Sequence, residues 1–173
     1  MTTAYTEVEP AFVPVQTRSE RPRSFDPDEF GAPNGREVNW KHTPVAQLER
    51  LFAPASENDG VVYDVESGEQ FIAAPLAAGD APRGEIFVPE DVVAAAAWQG
   101  TDGAMHVRIP RDEEVAEPVL VTITGQGAGK RADAHIVIEA LENSSATVVL
   151  RHRGSAQYAQ NVEIIARAGS RLT

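Results

Sequence analysis

Pro118-Val119-Leu120-Val121-Thr122-Ile123-Thr124 is followed by His135-Ile136-Val137-Ile138-Glu139-Ala140, by Ala146-Thr147-Val148-Val149-Leu150, and by Val162-Glu163-Ile164-Ile165-Ala166. Each segment is short and rich in β-branched residues, and each repeats its apolar positions with period two. Val119, Val121 and Ile123 share one face, as do Ile136 and Ile138, then Ala146, Val148 and Leu150, then Val162 and Ile164. Between them, at 125–129, 142–145, 154–155 and 169–170, stand stretches rich in Gly, Asn and Ser, the residues of turns. Regular short strands with such punctuation predict a mainly β fold: a sandwich, a barrel or a β-solenoid. Spacing alone leaves these three open.

Outward from this array the chain changes texture. Met105-His106-Val107-Arg108-Ile109 alternates as a further strand, and Pro89 opens a helical candidate with Glu90 and Asp91 in its first turn and Val92 to Trp98 behind it. Val61-Val62-Tyr63 and Gln70-Phe71-Ile72 read as short extended pieces. Thr43-Pro44 reads as N-cap and first residue of a helix whose Val45, Leu48 and Phe52 share a face. At Asp26-Pro27 a capped helical turn is written, with Glu29 in the capping-box position. Residues 1–23, with prolines at 10, 14 and 22, predict a flexible arm. The expected organisation is an arm over 1–23, a helical and mixed region over 24–102, and a β core over 103–173. Leu172-Thr173 follows a turn at 168–171 and reads as the opening of another strand, so a truncated array is expected.

The chain has 173 residues, 15 basic and 26 acidic, for a formal charge of −11. That field repels a phosphate backbone, so nucleic acid is not an expected partner. Solubility explains the acid otherwise. Cysteine is absent, which removes thiolate nucleophiles, persulfide acceptors and cysteine-ligated zinc or clusters from this stretch. The first residues carry no basic region followed by an apolar run, so neither a signal peptide nor a membrane span is expected, and the cytoplasm is the expected location.

No constellation predicts catalysis, cofactor binding or a metal site. Gly125-Gln126-Gly127-Ala128-Gly129-Lys130 lacks the spacing of a phosphate loop, since Thr124 and Arg131 stand where a glycine and a Ser or Thr are needed. His42, His106, His135 and His152 do not pair with other ligands at metal spacing. The acids Asp112, Glu113 and Glu114, and Glu85, Glu90 and Asp91, lie in expected turns or a first helical turn, where solvation explains them. Trp40 and Trp98 are expected as packing anchors. Asn143-Ser144-Ser145 matches a glycosylation acceptor only by chance in a chain without a secretory signal.

Two stretches together resemble a known family. One is Gly35-Arg36-Glu37-Val38-Asn39-Trp40-Lys41-His42-Thr43-Pro44, followed by Leu48. The other runs over 143–173, with Ser145 to Leu150, Asn161-Val162-Glu163 and Ala168-Gly169-Ser170-Arg171-Leu172; Ile109-Pro110-Arg111 and Glu117-Pro118 fit between them. The chain resembles SufD, a scaffold subunit of the SUF iron–sulfur cluster assembly system, in its alanine-rich, acidic actinobacterial form. The resemblance implies an incomplete right-handed parallel β-helix behind a small N-terminal helical region. It also implies a non-catalytic role, pairing with a SufB-like paralogue through the β-helix and with a SufC-like ABC ATPase through a C-terminal domain absent here. The iron–sulfur cluster and the ATP on SufC belong to the parent complex, and no cofactor is assigned to these residues. Two alternatives stand beside it. The paralogue SufB shares the Trp-Thr-Pro segment, and a β-solenoid carbohydrate-active enzyme would use Lys130, Arg131, Arg151 and Arg153.

Overall fold

The computed structural model describes residues 22–65 and 68–173. Its strands are β1 (Val61–Val65), β2 (Ile72–Ala77), β3 (Gly103–Ile109), β4 (Val119–Ala140), β5 (Ser145–Ala146), β6 (Val148–Ala166) and β7 (Arg171–Leu172), and its helices are α1 (Val45–Leu48) and α2 (Val92–Gln99). The arm expected over 1–23 lies outside the described residues except for its last two. The mainly β expectation holds, and β4 with β6 forms its spine.

These two strands run parallel in register from Val119↔Val148 to Gln126↔Ser155 and again from Arg131↔Gln157 to Ala140↔Ala166. The first half of β4 carries β1 antiparallel on its other edge, with Val61 opposite Gly125 and Val65 opposite Val121. The second half carries β3 in parallel, Met105↔Ile136 to Ile109↔Ala140, and β2 adds antiparallel outside β3. One strand with different neighbours along its two halves has to bend, and the sheet curls into a half barrel.

Two expected turns are corrected here. Residues 125–129 do not leave the sheet: 127–130 of β4 face Ala156 alone on β6, a wide bulge that bends the strand without ending it. Gly154 and Ser155 likewise lie inside β6. Gly154 takes φ +71°, and a Cβ there would come within 2.5 Å of the Gly125 carbonyl oxygen, so glycine is what lets the bend continue the pairing.

The turns after β3, β4 and β6 are copies of one corner. Asp112 and Asn143 are both left-handed at φ 59°, and Gly169 follows at φ +71°. The next residue in each turn closes back by its amide: Glu113 to the Pro110 carbonyl at 3.3 Å, Ser144 to Leu141 at 3.2 Å, and Ser170 to Arg167 at 3.0 Å. Ser144 and Ser170 also donate their hydroxyls to those same carbonyls, at 2.6 and 2.7 Å. Between layers the Asn143 side-chain amide donates to the Asp112 carboxylate at 2.9 Å. Past the corner, Glu114 bridges Ser145 and Ser145 pairs with Arg171, all in parallel. Asp, Asn and Gly are the residues that accept the left-handed conformation at least cost, which is why they recur there.

The inner face of the curl is the core. Val107, Ile109, Val119, Val121, Ile123, Ile136, Ile138, Ala140 and Ala146 form one buried apolar cluster, with Tyr63, Met105, Leu150 and Tyr158 packed on it. Burying a side chain the size of Val or Ile stabilises by about 1.5–3 kcal/mol, so this face supplies most of the driving force. Outside the curl lies α2, whose buried Ala95, Ala96 and Ala97 let its backbone come close to β4 and β6. Gly100, at the end of α2, is needed for the same closeness, because a Cβ there would meet Asp133 Oδ2 at 2.0 Å.

The helical expectations are met with shifted ends. Asp26 caps a 3-10 turn over Pro27–Phe30, its Oδ1 accepting the Asp28 amide at 3.0 Å. α1 is shorter than expected, and Thr43 does not cap it by its side chain: the Thr43 carbonyl instead accepts the Val45 amide at 2.8 Å, a backbone turn that displaces the capping geometry. α2 starts at Val92, with Asp91 as N-cap accepting the Ala94 amide at 2.8 Å. Pro89 and Glu90 therefore precede it, and the Pro89 carbonyl accepts the Ser24 amide at 3.1 Å.

Candidate functional site

Strand alternation sends the residues of 131–140 to two different faces, and both are buried. Ala132, Ala134, Ile136, Ile138 and Ala140 turn inward. Arg131, Asp133, His135, Val137 and Glu139 turn outward, under α2 and the segments 53–58 and 82–89. Asn161 and Glu163 of β6 and His106 of β3 share that outward face, so the layer beneath α2 carries buried polar and charged groups.

At its centre His135 and Glu163 are paired, with both side chains fully buried. The His135 Nε2 lies 2.7 Å from Glu163 Oε1. Glu163 also holds the covering segment by its backbone: its Oε1 accepts the Gly84 amide at 2.6 Å and its Oε2 the Ile86 amide at 3.3 Å. A carboxylate can only accept, so the histidine carries its proton on Nε2. The Nδ1 is then a lone pair, buried without a partner among the described residues. Two rings enclose the imidazole edge-on, Trp98 at 5.1 Å and Phe87 at 5.5 Å between centroids. Arg83 stacks over Trp98 at 3.7 Å and donates to the Trp98 carbonyl at 3.0 Å. Burial pushes the His135 pKa below the ordinary histidine value; the Glu163 charge opposes that shift and the Arg83 charge adds to it.

Ion pairs flank this centre on both sides. Toward one end, Arg131 approaches Asp133 at 2.5 Å, and Asp133 Oδ2 accepts the Ala55 amide at 2.7 Å. Asn58 closes the same corner, accepting the Asp133 amide at 2.8 Å and donating to its carbonyl at 2.9 Å. Burial raises the Asp133 pKa and lowers that of Arg131. Toward the other end, His106 Nε2 lies 3.2 Å from Glu139 Oε2, and Glu139 Oε1 accepts from Arg167 at 2.6 Å. Arg167 reaches on to Glu85 at 2.7 Å, which ties the 82–89 segment down a second time. The hydrogen bonds to Glu85 and Glu139 push the Arg167 pKa upward. Every carboxylate in this layer meets a cation, an imidazole or backbone amides. The arrangement fastens chain segments to the sheet.

The inner face holds a smaller polar chain. Tyr158 donates to Gln160 Oε1 at 2.6 Å, His152 Nε2 lies 2.9 Å from the same oxygen, and the Tyr63 and Tyr158 hydroxyls are 3.2 Å apart. An open trough of about 610 Å3 lies at the mouth of the curl, lined by Val61, Leu76, Met105 and Ala134 with Asp80 and Asp102.

The residues weighed in the sequence are scattered. Lys130, on the β4 bulge, pairs with Asp59. Arg131 is buried, and Arg151 donates to Thr122 Oγ1 at 2.9 Å. Glu113 accepts from Gln70 at 2.6 Å, Glu90 pairs with Arg23, and Asp91 caps α2. His42 is exposed, and Trp40 packs edge-on against Phe52 at 5.7 Å. Trp98 packs against Phe25 as well as Phe87. Sequence reasoning missed the pairing of His135 with Glu163. The signal was Arg131, Asp133 and His135 at alternate positions of an otherwise apolar strand, with Glu139 after Val137, a pattern that asks for partners on a second buried layer. Among the described residues no group of three or more His, Asp or Glu is placed to hold a metal ion, and no helix is long and apolar enough to cross a membrane.

Over 151 residues, 87% of its length, the chain is 37% identical to iron–sulfur cluster assembly SufBD family proteins of Mycobacterium tuberculosis and Mycobacterium bovis. It is 35% identical over the same length to one of Mycobacterium leprae. The chain is similar in sequence to these SufBD family proteins over most of its own length. It spans 38% of the length of these relatives. No protein-family model and no solved structure matches it.

Proposed function

We propose that this chain is a SufD-type, non-catalytic scaffold portion of an iron–sulfur cluster assembly complex. Its homologues carry cluster assembly in their names. The observation that carries the scaffold reading is the stack of three parallel layers with one repeated corner at Asp112, Asn143 and Gly169. Each residue pairs with one 26 to 31 positions further along, the length of a solenoid coil. We read these layers as the first coils of a right-handed parallel β-helix, the hand that parallel crossovers adopt almost without exception. Such a stack presents long strand edges and corners to other subunits, and its polar groups are already engaged in holding segments together. In this reading the partners are a SufB-like paralogue along the β-helix and a SufC-like ABC ATPase bound elsewhere in the parent protein, in the cytoplasm, while ATP and the cluster are handled by the complex. Affinity capture of the tagged full-length parent from its own cells, with mass spectrometry of what accompanies it, tests this. Co-recovery of an ABC-type ATPase and a cysteine-containing homologous subunit is expected. Recovery of neither would remove the reading, and a parent that itself accepts persulfide sulfur would make it SufB-type.

A further inference from the structure

The buried outer layer ties a peripheral segment to the sheet through one titratable side chain. Residues 82–89 are fastened at their centre by Glu163, which accepts the Gly84 and Ile86 amides, and Glu163 is completed by the Nε2–H of His135. Ile86 is 60% exposed, so the hydrogen bonds of its backbone, more than its side chain, hold it to the molecule. The imidazole is walled by Trp98 and Phe87, and its Nδ1 is buried with no hydrogen-bond partner among the described residues.

We propose that His135 and Glu163 form a pH-sensitive latch that keeps the 82–89 segment closed on the sheet while His135 is neutral and releases it when the imidazole is protonated. Protonation places a second N–H at Nδ1, where no acceptor stands among the described residues, and adds positive charge beside Arg83. A buried donor left unpaired is costly, and opening the segment hydrates it. Every charged group packed around the ring bears on this balance. Glu163 on β6 favours the imidazolium, and Arg83 on the covering segment opposes it. Glu85 of the same segment is turned to Arg167, Asp133 on β4 to Arg131, and Glu139 to Arg167 and His106. α2 brings only the neutral Trp98 to the ring. The enclosure and Arg83 act together against the proton, and both are relieved when the segment lifts.

Linkage fixes the size of the response. If the open state binds one proton more than the closed state, the opening constant rises up to about tenfold per pH unit below the histidine's ordinary value. The experiment follows hydrogen-exchange protection of the Gly84 and Ile86 amides, and the His135 ring signal, by NMR on the 173-residue chain from about pH 7.5 to about pH 5. The expected result is a loss of protection at these two amides approaching tenfold per unit, in step with titration of the His135 ring. It should be absent in His135→Gln and retained in His106→Gln. Unchanged protection while the ring titrates would overturn the latch, and so would an equal loss in His135→Gln. Should the glutamine variant fail to fold, the wild-type chain decides by the two signals together: protection lost as the ring titrates keeps the latch, and protection unchanged overturns it.

Discussion

The two faces of residues 131–140 are equally buried and chemically opposite. The inward set, Ile136 and Ile138 with Ala132, Ala134 and Ala140, is entirely apolar, and Ile136, Ile138 and Ala140 belong to the core cluster. In the outward set, Arg131, Asp133, His135 and Glu139 are charged or polar and individually partnered, with one apolar residue, Val137, among them. An apolar contact is non-directional, so the inner face contributes stability without dictating which loop lies where. A buried charge tolerates only the arrangement that satisfies it, so the outer face contributes placement of segments 53–58 and 82–89 more than net free energy. The curl is driven from inside and dressed from outside.

The largest break in that comparison comes from Ile136→Ala. Ile136 is fully buried at the middle of the core, and the truncation should cost about 4 kcal/mol of unfolding free energy by urea denaturation, with all regions destabilised together. Next in size is Glu163→Ala, which strands the His135 Nε2–H and the Gly84 and Ile86 amides; about 3 kcal/mol is expected. The two losses should differ in kind as well as size. Hydrogen exchange in the Glu163 variant should rise first over 82–89 and α2, while the amides of β4 and β6 keep their relative order. A uniform rise across the sheet would show that the outer layer carries the core's stability and that the division between the faces is mistaken.

Sequence showed the inner face almost completely. Val119, Val121, Ile123, Ile136 and Ile138 advertise themselves by period two, and the sheet buries all of them. The joining of strands was less legible. Glycines at 125, 127, 129 and 154 mark a bend as readily as a turn, and only the pairing of β4 with β6 decides that the chain continues. The outer face was least legible, because its logic is pairwise across distant positions. Glu163 reads as a solvent-facing residue of a strand, and Gly84 and Ile86 read as a loop, until the register sets His135 two positions before the residue opposite Glu163. The corner at Asp112, Asn143 and Gly169 was visible as three turns, but three different residue types conceal that they are one turn repeated.

The smallest effect expected sharpens the comparison within the outer layer itself. His106 also carries a buried imidazole beside a glutamate, and burial lowers its pKa while Glu139 raises it and Arg108 lowers it further. A histidine whose folded pKa lies below its unfolded value leaves the unfolded chain to bind the proton first. Stability is therefore full above the ordinary value of 6.5 and declines as pH falls through it toward the folded value. The side chain of His106 retains 14% exposure, where that of His135 has none, and its glutamate already shares Arg167. Water can reach the His106 imidazolium, so its protonation opposes folding less. In urea midpoints measured between about pH 7 and about pH 5.5, His106→Gln should flatten the decline only slightly and His135→Gln should remove most of it. Equal flattening by the two would mean that the outer layer titrates as one unit, and the distinction between a latch at Glu163 and a passive pair at Glu139 would fall.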